Sequence, residues 1–284
     1  DKNDNTKMEI ISNFDADAKM ITISGIYEGT FHISKKQILF TGDKISDDFG
    51  ITIEESNSSN PKTKTVQLDL DDLVWVLHRS YIHIDQGLEF FLNNGLSYFF
   101  FYISQKVRSK IIQFLSSSKK LEILQDCNSM KLISDQKITE KWQNGYISTY
   151  EYLMLINFFS GRTFNDLSQY PVFPWILSDY DSKTLDLKNP LSFRDLSKPI
   201  GALNEERLAK LKREYSEITD DSLKCLYRGH YSTSYNVIHY MIRVEPFTTL
   251  HIQVQKGRFD FPSRLFTSIR KAYKTCISTA NDYR

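Results

Sequence analysis

The chain has 284 residues, of which 40% are hydrophobic, 13% aromatic and 25% charged. This composition is ordinary for a globular protein and excludes a collagen-like or fully disordered chain. Lysine and arginine total 36 against 35 acidic residues, and the resulting net charge of +1 argues against a strongly basic nucleic-acid-binding protein. No apolar run reaches the roughly 20 residues that a membrane-spanning helix needs. The three cysteines are widely spaced without a CxxC pair, which indicates reduced thiols in a cytoplasmic protein and no zinc site.

The first 118 residues have the pattern of a small β domain. Short runs of β-branched and aromatic residues are separated by turn residues, and the Asn-Asn-Gly sequence at 93–95 predicts a hairpin. Residues 106–115 then have helical spacing, with Val107, Ile111 and Leu115 on one face. Strands closed by one amphipathic helix predict a PH-like β-barrel, although several other small β folds share this outline. The predicted strands are 19–24, 29–34, 37–42, 66–70, 88–92 and 97–103, and a polar loop is predicted at 56–64.

The strands predicted at 88–92 and 97–103 are apolar on both faces. Glu89 and Phe91 point away from the residues that would fill the barrel, and so do Phe99 and Phe101. A small barrel needs only its inner face apolar, so the outer face should be covered by the rest of the chain. Glu89 would then lie in a largely apolar contact, and we expect it to pair with a lysine or arginine from residues 121–284.

Phosphoinositide binding by this first segment has little electrostatic support. Residues 1–120 carry 14 Lys/Arg and 16 Asp/Glu, a net charge of −2, and the loop predicted at 25–29 holds Glu28 but no base. A phosphorylated headgroup needs several cations near the first two strands. We therefore expect no tight headgroup binding, and at most a weak contact with a membrane surface.

The second segment begins after a polar stretch at 119–140 that is typical of a linker or short helix. Ser148 and Glu151 form the pattern of a capping box for a helix from 149 to about 160, which Gly161 would end. Four prolines between 170 and 200 forbid a long helix, and the apolar residues among them predict a buried, non-regular coil. Further helices are predicted at 205–218 with Asn204 as N-cap, at 234–244, and from Asp260 onward.

The segment at 142–202 resembles the opening of a BEACH domain, the module named for the beige and Chediak-Higashi proteins. The resemblance continues with GHYS at 229–232, RVEPFT at 243–248 and GRFD at 257–260, in the order and at the spacing of that family. Upstream, RSY at 79–81 and LEFF at 88–91 resemble the PH domain that precedes BEACH in the same family. Departures from the family pattern occur at Ser80, Arg228 and Lys256.

This resemblance implies an α+β chain made of a PH-like β-barrel with a C-terminal helix and a mostly helical BEACH domain with buried non-regular coil. The expected organisation is a PH-like domain at 1–118, a linker at 119–140 and the N-terminal part of a BEACH domain at 141–284, so the BEACH domain would be truncated. In this family a WD40 propeller usually follows. One interpretation is a fungal or yeast beige homologue.

The resemblance also implies a function. It favours a non-catalytic scaffold in a large protein of membrane trafficking, vesicle fusion or fission, and endosomal, lysosomal or vacuolar protein sorting. The expected partners are proteins of the trafficking machinery, together with intramolecular PH–BEACH docking and a weak membrane-lipid contact, and no nucleic acid. The expected location is the cytoplasm, with peripheral association with endomembranes.

No catalytic or metal-binding motif is present in the sequence, and we expect no enzyme activity, metal or cofactor. Two alternatives remain: a lipid-headgroup-binding protein, and a hydrolase in the BEACH segment. Asp179 and Asp181 could bind a cation, and Arg194 with Asp195 and Lys198 could act in catalysis, but turn capping and ion pairing are more common uses. The residues assigned to the PH–BEACH interface or to protein binding are Arg79, Glu89, Phe91, Phe99 and Phe101. Those assigned to a structural network in the BEACH segment are Asp179, Asp181, Asn189, Arg194, Asp195, Lys198, His230, Arg243 and Glu245.

Overall fold

The computed structural model describes residues 13–46, 63–116, 122–124, 129–226 and 233–278. The chain divides into two compact units, Asp1–Pro171 and Val172–Arg284. The first unit contains the barrel together with the helices that follow it. Most of the polar loop predicted at 56–64, and His230, lie outside the described residues.

The first unit is built on an eight-stranded sheet with the order β4-β3-β2-β1-β7-β6-β5-β8. Neighbouring strands are antiparallel except β8, whose backbone pairs in parallel with residues 75–77 of β5. The pairing of β1 with β7 joins the two halves of the sheet. The strands are β1 (Asn13–Thr22), β2 (Gly25–Ser34), β3 (Gln37–Ser46), β4 (Thr63–Asp69), β5 (Leu73–Tyr81), β6 (Ile84–Leu92), β7 (Ser97–Tyr102) and β8 (Glu122–Leu124).

Several parts of the sheet differ from the sequence prediction, among them the start of β1 and the strand β8. The prediction of a loop at 25–29 is wrong, because these residues form the start of β2 and pair with β1. In this pairing Glu28 lies opposite Lys19. The turn between β1 and β2 is formed by Ile23 and Ser24 instead. The sequence prediction missed β5 altogether, because a bulge between Leu73 and Trp75 interrupts the alternation that indicates a strand.

Aromatic side chains fill the barrel. The ring of Phe31 lies 5.0 Å from that of Phe100, 5.5 Å from that of Tyr102 and 5.9 Å from that of Phe90, between centroids. Leu88, Phe90, Phe100 and Tyr102 all point into this core, so the alternation predicted along β6 and β7 is confirmed. The pairs of Phe31 with Phe100 and with Tyr102 are edge-to-face, and such contacts stabilise the core beyond the burial of apolar area.

Helix α1 (Gln105–Ser116) packs against the barrel core, which confirms the helix predicted at 106–115. Ile111 and Leu115 are buried in the barrel core. Arg108 donates two hydrogen bonds to the carboxylate of Asp85 in β6, at 2.5 and 3.1 Å. The hydrogen bond from Arg108 holds the pKa of Asp85 below its usual value, so at neutral pH an ion pair connects α1 to β6.

Three helices follow in the first unit: α2 (Ser129–Asp135), α3 (Ile138–Gln143) and α4 (Thr149–Phe159). The capping box predicted at the start of α4 is confirmed. Ser148 Oγ accepts a hydrogen bond from the amide of Glu151 at 3.1 Å, and Glu151 Oε2 accepts one from the amide of Ser148 at 2.7 Å. Both amides would otherwise lack a partner within the helix.

The second unit opens with a segment that is non-regular, as predicted, but largely exposed. Its regular structure consists of an isolated bridge between Leu177 and Phe193 and a 3-10 turn at Pro190–Ser192. Residues 181–191 are exposed, so the prediction of a buried coil is wrong for them. Asp and Asn side chains there accept hydrogen bonds from nearby backbone amides. These amides therefore have hydrogen-bond partners without a covering layer of the protein.

Among the described residues, four helices complete the second unit: α5 (Glu205–Glu217), α6 (Ser234–Tyr240), α7 (Phe247–Val254) and α8 (Ile269–Ser278). Helix α5 agrees with the prediction, and the side chain of its N-cap Asn204 accepts a hydrogen bond from the amide of Arg207 at 2.8 Å. None of the described helices is both long and apolar enough to span a bilayer.

The predictions for the last helices were wrong in their bounds. Helix α6 ends at Tyr240 rather than at 244, and α7 begins directly after Pro246. The helix predicted from Asp260 begins only at Ile269. Ser268 initiates it, since its Oγ accepts a hydrogen bond from the amide of Lys271 at 3.2 Å.

The turn between β5 and β6 carries backbone strain. Its two residues, Ile82 and His83, have φ angles of 47° and 63°, in the left-handed region. The side chain of Ile82 is 70% exposed, so burial does not offset the strain. A left-handed conformation costs a residue with a Cβ about 1–2 kcal/mol, and Asn-Gly is the sequence that two-residue hairpins prefer.

We expect Ile82→Asn combined with His83→Gly to raise the free energy of unfolding by about 1 kcal/mol. Urea denaturation followed by circular dichroism measures this change. The matched control is Ile23→Asn with Ser24→Gly in the β1–β2 turn, where neither residue has a positive φ angle, and it should give no such gain. A loss of stability in the β5–β6 variant would contradict the assignment of strain to this turn.

Candidate functional site

The outer face of β5, β6 and β7 carries a buried charged cluster. Strand alternation points Glu89 of β6 outward, and Arg79 of β5 and Ser97 of β7 lie diagonally to it on the same face. Glu89 is 0% exposed and Arg79 is 3% exposed. A charge removed from water this completely must be paired and hydrogen-bonded.

Hydrogen bonds from several elements saturate the Glu89 carboxylate. Arg79 Nε donates to Oε2 at 2.6 Å. The other oxygen, Oε1, accepts from Ser97 Oγ at 2.7 Å, Thr163 Oγ1 at 2.6 Å and Asn165 Nδ2 at 3.1 Å. The cluster therefore connects the barrel to the chain that follows α4.

Arg79 extends this connection to the end of α4. Its Nη1 donates to the carbonyl of Phe158 at 2.8 Å, and its Nη2 donates to the carbonyl of Arg162 at 3.3 Å. The last carbonyls of a helix lack partners within the helix and carry its negative end, so a guanidinium group is favourable there. One arginine thus neutralises a carboxylate of the barrel and caps a helix outside it.

A Schellman motif ends α4 close to the charged cluster. Gly161, with a φ of 88°, donates from its amide to the carbonyl of Phe158 at 3.1 Å, and the amide of Arg162 reaches the carbonyl of Asn157 at 3.0 Å. Glycine adopts this left-handed conformation without steric cost, which confirms the predicted end of the helix. The chain then turns back and places Thr163 beside Glu89, where Thr163 is 1% exposed.

An apolar contact borders the charged cluster. The ring of Phe91 lies 5.0 Å from that of Phe158, and the ring of Trp75 lies 6.0 Å from that of Phe159, between centroids. Leu77 is buried in the same group, which explains why β5 and β6 are apolar on both faces. The buried residues of this contact are Leu77, Phe91, Ile138 and Phe159, and Trp75, Ile133, Ile147, Tyr152, Leu155 and Phe158 pack against them.

Three of the five residues assigned to the interface take part in this contact: Arg79, Glu89 and Phe91. Phe99 and Phe101 instead pack against the ring of Tyr81, at 6.2 and 5.8 Å between centroids. Gly87 makes room for the first of these rings, since a Cβ atom there would come within 2.5 Å of Phe99.

The partner predicted for Glu89 was wrong. We expected a lysine or arginine from residues 121–284, but the paired base is Arg79, in the adjacent strand. Residues 121–284 contribute neutral donors, Thr163 and Asn165, and the carbonyls that accept from Arg79. Threonine and asparagine after a helix are common, so sequence alone gave no signal for either residue.

The residues predicted as a network in the second unit form separate local groups. Asp179 accepts hydrogen bonds from the amides of Asp181 and Ser182, at 3.1 and 3.0 Å. Asp181 binds Arg270 and Lys274 of α8, and the hydrogen bond from Lys274 lowers its pKa. Asn189 caps its own turn by accepting from the amide of Leu191 at 3.0 Å.

Another local group surrounds Arg194, which donates to the carbonyls of Trp175, Asp195 and Lys198. The carboxylate of Asp195 accepts from Ser197 and lies 3.6 Å from Lys198 Nζ. Arg243 and Glu245 are exposed, and the latter accepts from the amide of Thr249 at 3.3 Å. Most of these contacts order turns, whereas Asp181 binds α8. Among the predicted residues that the structure describes, none of the contacts joins the separate groups into one site.

Comparison with known proteins agrees with this α+β arrangement of a barrel and helices. The family model described as "PH domain associated with Beige/BEACH" matches residues 18–116, and the model described as "Beige/BEACH domain" matches residues 140–284. The chain belongs to the BEACH family and carries its PH-BEACH tandem. Helix α4, Thr163 and Asn165 therefore belong to the BEACH-matched region, and their contact with Glu89 joins that region to the barrel.

A curated relative supports the same assignment. The chain is 36% identical over 213 residues to BEACH domain-containing protein B of Arabidopsis thaliana. The aligned region covers 70% of this chain and 8% of that protein. The chain thus spans less than a tenth of the length of this relative.

Two solved structures show a distant similarity. One is the C-terminal domain of an unknown protein from Leishmania infantum, with 8% identity, a TM-score of 0.26, and 36% of this chain and 81% of that chain covered. The other comprises the N-terminally truncated linker-DH/PH domains of p115-RhoGEF, with 8% identity and a TM-score of 0.24. This match covers 37% of this chain and 27% of that chain. TM-scores this low support no inference about fold or function.

Removing the charge of Glu89 should destabilise the first unit strongly. In Glu89→Gln the side chain keeps its shape, but the buried guanidinium of Arg79 loses its counter-charge, and we expect a loss of about 3–5 kcal/mol in unfolding free energy. Urea denaturation gives the value. The double variant Arg79→Met with Glu89→Leu should recover much of the loss, because it leaves no unpaired charge.

The control for this measurement is Glu28→Gln, at an exposed ion pair with Lys19. An exposed pair contributes about 0–1 kcal/mol. Equal effects of Glu28→Gln and Glu89→Gln would show that Glu89 is solvated in solution.

Proposed function

We propose that this PH-BEACH tandem is a non-catalytic scaffold that acts through protein–protein interaction in a large protein of intracellular membrane trafficking. The trafficking steps in this proposal are vesicle fusion or fission and endosomal, lysosomal or vacuolar protein sorting. Its partners would be proteins of the trafficking machinery. The protein would work in the cytoplasm, peripherally associated with endomembranes.

The contact around Glu89 is the observation that carries the scaffold proposal. Four donors saturate its carboxylate, and the site is closed to solvent, so no oxygen is available to a substrate. The chemistry of this cluster is therefore structural. It fixes the barrel against α4, and a rigid composite surface of this kind is suited to holding protein partners.

A second candidate, weak contact of the barrel with a membrane surface, has less support. Lys19, near the first turn, lies 3.5 Å from Glu28, which neutralises it. Lys64 lies over the ring of Tyr27, at 5.3 Å from the ring centroid. Cations already paired in this way offer little free charge to anionic lipids.

Sorting in the source organism tests the scaffold function. Disruption of the gene should cause secretion of a lysosomal or vacuolar hydrolase, and a wild-type copy should restore its retention. A copy with Glu89→Gln should fail to restore it, because the barrel and α4 no longer form one body, whereas a copy with Glu28→Gln should succeed. Normal sorting after gene disruption would refute the trafficking role.

Vesicle flotation separates the two candidates. A scaffold that binds only proteins should remain with the soluble fraction when mixed with anionic vesicles. Flotation that weakens as salt is raised, and that is lost in Lys19→Glu, would instead support membrane contact through the barrel.

A further inference from the structure

A cleft with a volume of about 650 Å³ lies in the second unit between α6, the segment at 262–268 and α8. Small-ligand sites usually have volumes of about 300–1,000 Å³. We propose that this cleft binds a phosphorylated polyol of the inositol phosphate class, either as a free molecule or as a lipid headgroup. This inference goes beyond the scaffold function and does not rest on it.

Positive charge around the cleft favours an anionic ligand. Residues 256–274 contain six Lys/Arg and one acidic residue, Asp260, and two of these bases, Arg270 and Lys274, are already bound to Asp181. Arg264, Lys271 and Asp260 line the cleft. Arg264 lies 3.6 Å from the carboxylate of Asp260, so Lys271 supplies the excess positive charge. Among the described residues, no carboxylate lies within ion-pair distance of Lys271, so its charge is available to a ligand. Charge-assisted hydrogen bonds to phosphate are stronger than neutral ones.

Hydroxyl groups in the lining favour a phosphorylated ligand over a simple carboxylate. Ser263, Thr267 and Ser268 lie together in the segment that faces the cleft, beside Arg264 and Lys271. Hydroxyl groups both donate and accept, so they can bind the phosphate oxygens and the free hydroxyl groups of a polyol.

Aromatic side chains form another part of the lining. The rings of Tyr240 and Phe266 are 5.1 Å apart and those of His239 and Phe266 are 6.2 Å apart, between centroids. Burial raises the pKa of Tyr240 to about 12 and lowers the pKa of His239, so both side chains are neutral at pH 7. The non-polar face of a polyol ring can pack on these rings while its phosphates bind Lys271 and Arg264.

Isothermal titration calorimetry with the full chain tests the proposal. The probes are inositol trisphosphate and, as the uncharged comparison, inositol. We expect saturable binding of the trisphosphate only. Lys271→Glu and Arg264→Glu should each weaken its affinity by about tenfold or more, as expected for the loss of one charge-assisted contact.

The control is Lys212→Glu on α5, which makes the same charge change at an exposed position outside the cleft and should alter the affinity less than about twofold. No saturable binding of inositol trisphosphate would overturn the proposal. An equal loss in Lys212→Glu and Lys271→Glu would overturn it too, because binding would then follow net charge alone.

A vesicle-binding assay distinguishes a lipid headgroup from a soluble inositol phosphate as the ligand. Phosphatidylcholine vesicles are compared with and without phosphatidylinositol bisphosphate in a sedimentation assay. Binding of the phosphoinositide vesicles that is lost in Lys271→Glu supports a lipid headgroup as the ligand. Binding of the free trisphosphate alone supports a soluble inositol phosphate.

Discussion

The burial of the Glu89 carboxylate is the constraint on which the first unit depends. An ionised group at 0% exposure is stable only where donors replace the water it has lost. These donors come from β5, from β7 and from the chain after α4, so the barrel, the helix end and the following turn must all be in place together. If apolar residues replaced the whole cluster, the barrel and α4 could still pack together. The hydrogen bonds that fix their relative position would then be lost.

The barrel was largely predictable because its inner face follows the simplest rule of a strand. Leu88, Phe90 and Phe100 alternate with outward residues, and the closing helix repeats its apolar residues at helical spacing. The parts that were missed are places where this period fails. The bulge after Leu73 hid β5, and pairing in the sheet converted an apparent loop at Glu28 into strand.

The candidate site was predictable only in part. The position of Glu89 on an outer face that would be covered followed from alternation alone. Its partner did not, because Arg79 becomes its neighbour only through the register of β5 against β6. Thr163 and Asn165 approach the carboxylate through the Schellman turn at Gly161, a contact that spans more than seventy residues of sequence. Exposure of the coil at 181–191 was misjudged for a related reason, since local Asp and Asn caps satisfy its backbone without a covering layer.

The short parallel strand β8 has a consequence for how the barrel meets other molecules. Sheets end in edges whose unpaired amides and carbonyls attract extended chains, and such edges favour aggregation or domain swapping. At residues 75–77 of β5 this protein covers the edge with its own backbone, taken from the stretch between barrel and helices. A barrel cut off just after α1 would lose that cover and expose the edge beside Trp75. The segment that joins the two family regions therefore also covers an edge of the sheet. The isolated barrel should be more prone to aggregation than the longer chain.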